Sequence, residues 1–80
     1  MERKPTLLQL RREYNYDKKH PISSSDLARA ANLPLSVTYA VEIGGFVQRA
    51  TAIKVLQAFS RLVGSNLHLS DIKVYTERAY

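Results

Sequence analysis

The sequence has no cysteine and no tryptophan, and its 80 residues include only three glycines and three prolines. Without cysteine there is no disulfide framework and no thiolate metal site. Stability must then come from helix packing, because folding at this length withdraws only about 60–65% of the surface from water. Long apolar runs are missing too, and none approaches the roughly 20 residues that span a bilayer. Met1-Glu2-Arg3-Lys4-Pro5 lacks the apolar stretch of a signal peptide. A single cytoplasmic domain with no membrane attachment is the expectation. His20 and His68 lie far apart and give no metal-ligand spacing, so no metal and no cofactor is expected. No Ser-His-Asp set or carboxylate pair has supporting context, and Gly44-Gly45 follows a predicted helix rather than a strand. The chain does not read as an enzyme, and no small-molecule ligand is evident.

What is present is ordinary for a folded protein: 45% hydrophobic and 24% charged residues. Charge is the one bias, with 12 Lys and Arg against 7 Asp and Glu, a net charge of +5 and a pI near 9.8. Such an excess steers a protein toward a polyanion, most simply nucleic acid. Arg3, Lys4, Arg11, Arg12, Lys18 and Lys19 lie near the N-terminus, while Arg29, Arg49, Lys54, Arg61, Lys73 and Arg78 are scattered beyond. This is a folded surface carrying positive charge rather than a basic tail.

Thr6-Leu7-Leu8-Gln9 has capping-box form and predicts a first helix with Leu7, Leu10 and Tyr14 on one face, fading near Tyr14 to Tyr16. Asn15 to Pro21 reads as a loop, broken by Pro21. Ser23-Ser24-Ser25-Asp26 caps a short second helix whose Leu27, Ala28, Ala30 and Ala31 allow close approach of a neighbour. Asn32-Leu33-Pro34 stops it, Asn32 suiting a left-handed cap and Pro34 the start of the next helix. That third helix runs from Leu35 or Ser36 to Ile43 and ends at Gly44-Gly45. A fourth runs from about Ala50 to Val63, with Ala52, Val55, Leu56, Phe59, Leu62 and Val63 as a core-facing stripe and Gly64 as its cap. A short fifth helix capped by Ser70 is expected, with Leu67, Leu69 and Ile72 closing the core. Val74, Tyr75 and Thr76 suit a short strand or a partner contact.

The segment from Ser23 to Gly44 thus holds a capped short helix, a tight break and a second short helix. Two helices so joined must cross steeply, which leaves the second free on one side to enter a major groove about 12 Å wide. Leu27-Ala28, Asn32-Leu33-Pro34 and Val41-Glu42-Ile43-Gly44, in this order and spacing, resemble the phage-repressor-like helix-turn-helix family, the Cro/repressor or xenobiotic-response-element type. Leu10-Arg11 is similar to the family's first helix and Val55 to Leu62 to its fourth, so the likeness covers roughly residues 6 to 72.

The resemblance implies an all-α, compact five-helix lambda-repressor-like domain that regulates transcription by binding double-stranded DNA, as a homodimer in the cytoplasmic nucleoid. It places Ser36, Val37, Tyr39 and Ala40 on the base-facing side of the recognition helix, and Leu33, Thr38 and Val41 on its buried side. Val37 has the spacing for either side. It gives phosphate contacts to Ser24, Gln48 and Arg49, and a structural ion pair to Arg11 and Glu42. Each has a plainer alternative: a solvated Ser24 or Arg49, or a Tyr39 in a dimer contact. Lys18 and Lys19 either reach phosphates from the loop or stand in solvent.

Three departures from the family pattern are visible. Asn32 stands where a turn glycine is usual, and the loop before the second helix is longer. The recognition helix also has no Arg, Lys, Gln or Asn, the side chains that read G and A edges bidentately. Apolar groups still contact thymine methyls, and Ser, Thr or Tyr gives one hydrogen bond. The competing reading is the same fold used for protein–protein interaction through Leu35, Val37 and Tyr39.

Overall fold

In a computed structural model, which describes residues 4–16 and 18–76, the chain is an all-α globule of four helices. These are α1 (Leu7–Asn15), α2 (Ser24–Ala31), α3 (Leu35–Glu42) and α4 (Arg49–Val63). Local chemistry sets most of their ends. Thr6 and Gln9 form a reciprocal capping box at α1, and Ser23 and Asp26 form another at α2. Asn32 closes α2 in the left-handed region at φ 57°, and its backbone N–H donates back to the last turn. Pro34 then stands immediately before α3, where its missing N–H removes no helical hydrogen bond. Gly64 ends α4 at φ 71°.

The core is one cluster built on Leu7, Leu27, Val41, Val55, Leu56, Phe59 and Ile72, with alanines 31, 52 and 58 between them. The small residues have a clear purpose. Ala28 and Ala31 on α2 and Ala58 on α4 are all buried, and these two helices make the most extensive contact in the molecule. Leu62, expected in the α4 stripe, is instead 40% exposed, while Ala58, outside the expected stripe, is fully buried. In the last turn of α4 the packing passes to Val63, which lies against the core, while Leu62 borders Ile22 and Ala30 at the surface.

The expected fifth helix is a single 3₁₀ turn, Leu69–Asp71. It is preceded by His68 rather than Ser70, and the Asp71 carboxylate accepts from the His68 N–H at 2.8 Å. Ile72, the buried anchor of the segment, has extended backbone and ends the turn. Extension is needed because the chain must continue along its own N-terminal end: the Lys73 N–H donates to Pro5 O at 2.8 Å. It then forms a two-residue strand β2 (Tyr75–Thr76), parallel to β1 (Phe46–Val47), with Phe46 opposite Tyr75 and Val47 opposite Thr76. Of the two readings of Val74 to Thr76, a short strand or a partner contact, Tyr75 and Thr76 take the strand, paired within the chain. The rest of the tail, 77–80, lies outside the described residues. Gly44 lies where the segments converge: at φ 79°, a Cβ added there would sit 3.0 Å from the Lys73 carbonyl oxygen.

Candidate nucleic-acid interface

Helix α3 has two unlike faces. Thr38, Val41 and Glu42 point inward and are fully buried. Both inward polar groups are satisfied. The Thr38 hydroxyl donates to Pro34 O at 3.1 Å, one turn back. The carboxylate of Glu42 accepts from Arg11 Nε at 2.5 Å and from Ser24 Oγ at 2.6 Å. Arg11, only 13% exposed, also donates from Nη1 to Ile22 O at 2.9 Å and from Nη2 to Ser24 Oγ at 3.1 Å. Asn15 braces the same loop, its amide bonding both the C=O and the N–H of Ile22. One charge-assisted cluster thus ties α1, the loop, α2 and the end of α3 together. Among the described residues no buried side-chain nitrogen or oxygen lacks a partner.

This cluster brings together Arg11 and Glu42, the residues paired in the sequence reading, and it includes Ser24, which that reading aimed at phosphate. The Ser24 hydroxyl is engaged both as donor and as acceptor. At the start of α2 the Asp26 N–H is taken by the Ser23 hydroxyl and the Asp26 carboxylate stands beside it, so only the backbone N–H groups of Ser24 and Ser25 remain to meet an anion. Nothing in the local sequence signals which way a serine just inside a capping box will turn.

The outward face of α3 carries Leu35 (49% exposed), Ser36, Tyr39 (46%) and Ile43 (49%), and Phe46 of β1 stands beside it at 72%. Val37 and Ala40 are partly covered. With Ser36, Phe46, Val47, Gln48 and Thr51 they line a shallow groove between α3, β1 and the first turn of α4. All four residues assigned to base contact therefore reach the surface, Ser36 and Tyr39 more fully than Val37 and Ala40. Leu33, assigned to the inner side, is partly buried. Gln48 precedes α4 and Arg49 is its first residue, one position earlier than expected; both are exposed. Arg49 borders a second concavity with Ile53, Gln57 and the 66–70 loop, so it flanks the groove rather than lining it.

The electrostatics of this face are one-sided. Between Asp26 and Asp71 the sequence contains a single carboxylate, Glu42, and that group is buried and paired. Arg49 is exposed and flanks the groove, whereas Lys54 and Arg61 are exposed farther along α4, where Arg61 Nη2 donates to Ala30 O of α2 at 3.3 Å. The sequence carried this signal as a gap in acidic residues across α3, β1 and α4. Lys18 and Lys19 are exposed, with Lys18 Nζ held 4.9 Å from the Tyr14 ring centroid. Asp26, whose carboxylate accepts from the Ser23 N–H and lies beside Arg29, has its pKa lowered, chiefly by the Ser23 backbone and side-chain hydrogen bonds. Among the described residues no group of three His, Cys, Asp or Glu side chains is placed to hold a metal ion, and no helix is long and apolar enough to cross a membrane.

Compared with family models, curated proteins and solved structures, the chain has no significant match.

Proposed function

We propose that this chain is a DNA-binding transcriptional regulator of the phage-repressor-like helix-turn-helix type, with α3 seated in the major groove of double-stranded DNA. The observation that carries the reading is the free outer side of α3, flanked by the exposed Arg49, with no exposed carboxylate on α3, β1 or α4. An α-helix with its side chains is about 10–12 Å across, which suits a major groove about 12 Å wide. The backbone N–H groups of Ser24 and Ser25 and the exposed Gln48 and Arg49 supply backbone contacts on either side. Two copies on a paired site, about one helical turn apart, give the footprint that a single module of this size lacks.

The test is fluorescence polarisation with a random-sequence duplex at low and moderate salt. Binding weakens steeply with salt, by about 0.9 in the log–log slope for each phosphate neutralised. Arg49→Ala lowers the slope by about that amount. Salt-independent binding, or an Arg49→Ala variant that binds like the parent, overturns the proposal.

A second reading is favoured by the exposed Leu35, Tyr39, Ile43 and Phe46: the same face docks a protein partner. Exposed apolar clusters of this kind mark interaction surfaces in general. It expects no duplex binding at any salt concentration.

A further inference from the structure

We propose that α3 reads the 5-methyl groups of pyrimidines in the major groove, and that its preferred duplex is rich in thymine. The inference rests on the DNA-binding reading and deepens it. Leu35, Tyr39 and Ile43 follow one another at four-residue spacing and form a half-exposed apolar stripe along α3. Phe46, Val37 and Ala40 line the adjoining groove. On the outer side of α3 only the Ser36 hydroxyl and the Tyr39 phenol can hydrogen-bond, and neither makes the paired contact that distinguishes G or A. Of the features that base pairs present in the major groove, the C5-methyl of thymine is the apolar one. An apolar reading face therefore has a single chemical counterpart in DNA. The absence of exposed carboxylates on α3, β1 and α4 is what makes a polyanion, rather than a basic partner, the occupant of this surface.

Thymine and 5-methylcytosine carry the same methyl in the same place, and the experiment separates them. Sites are selected from a random duplex pool and rebuilt in three forms: with thymine, with deoxyuridine in place of thymine, and with deoxyuridine plus 5-methylcytosine. Affinity is measured for the parent and for a Leu35→Ser/Ile43→Ser variant, whose folding is checked by its thermal melt. The parent binds the thymine form best and loses about fourfold for each contacted methyl removed. The double variant binds all three forms alike. Binding restored by 5-methylcytosine supports methyl reading with cytosine as the carrier. Equal affinity of the parent for all three forms overturns methyl reading and leaves DNA binding standing. Binding to no duplex overturns both and assigns the face to a protein partner.

Discussion

Helices α3 and α4 were built by opposite rules. Helix α4 buries Ala52, Val55, Leu56, Ala58 and Phe59 and exposes Arg49, Lys54, Gln57 and Arg61. Folding alone accounts for nearly every one of its residues. Helix α3 buries a glutamate and a threonine beside Val41, and holds a leucine and a tyrosine half in solvent on its outer side, with Ile43 likewise exposed at its end. A buried polar group or an exposed apolar cluster is the informative departure from ordinary burial, and α3 has both. Its inward polarity is explained by the cluster with Arg11 and Ser24. Its outward apolarity is only half buried by the fold, and the proposed function gives the exposed half an intermolecular contact.

The largest effects are expected where each helix anchors the core. Phe59→Ala on α4 empties a fully enclosed site and should destabilise by about 3–5 kcal/mol. Arg11→Ala should cost about as much, for a different reason: Glu42 is left as a buried charge without its cation. Total stability for a domain is only about 5–15 kcal/mol, so either change brings it near unfolding at 37 °C. Urea denaturation distinguishes the two mechanisms. An Arg11→Met/Glu42→Leu double variant should recover most of the Arg11→Ala loss, because it removes the stranded charge as well. An Arg11→Ala midpoint equal to the parent's would mean that the ion pair does not hold α3 in place.

The ends of the two helices extend the contrast. Gly44, just beyond α3, and Gly64, at the end of α4, both have positive φ, so alanine at either strains the backbone by about 1–2 kcal/mol. At Gly64 the added Cβ meets nothing within 4 Å, and the strain is the whole effect. At Gly44 it meets the Lys73 carbonyl oxygen at 3.0 Å, and that oxygen belongs to a segment already held to Pro5. Gly44→Ala should therefore be the more destabilising of the two in thermal melts. Equal losses would mean that the C-terminal segment yields freely.

The same contrast separates what the sequence reveals from what it hides. Helix α4, the boxes at Thr6–Gln9 and Ser23–Asp26, and the left-handed caps at Asn32 and Gly64 are local chemistry and can be read from neighbouring residues. The pairing of Phe46–Val47 with Tyr75–Thr76 joins segments far apart in the chain, and neither is long enough to show a strand period. The same distant pairing pulls the 69–72 segment out of a helix. At the candidate site, the family resemblance put Ser36 and Tyr39 on the outer side of α3 and Thr38 on the inner side, where the structure has them. Exposure of Phe46 and Ile43 and the inward turn of the Ser24 hydroxyl depend on packing that no local pattern encodes.

A smaller effect is expected at the start of α2, which positions α3 through the turn. The folded state lowers the Asp26 pKa, so it favours the ionised carboxylate. The stabilisation this brings is present above the unfolded carboxylate pKa and is lost as pH falls through the lower, folded value. Asp26→Asn should melt below the parent at pH 7 and converge on it in strong acid. A gap between the two that persists at low pH would assign the difference to something other than this charge.

The smallest effect on stability is the one most diagnostic of function. Tyr39→Ser removes a ring that is nearly half in solvent and has no hydrogen bond in the core network, so the melting temperature should stay close to the parent's. A shift within about 0.5 kcal/mol is the range for surface substitutions of this kind. Duplex affinity, by contrast, should fall by more than tenfold, measured by polarisation at fixed low salt. The salt slope should remain unchanged, because no phosphate contact is lost. If Tyr39→Ser instead destabilises the protein strongly and binds DNA normally, the outer side of α3 serves the fold after all, and the asymmetry between α3 and α4 has no functional meaning.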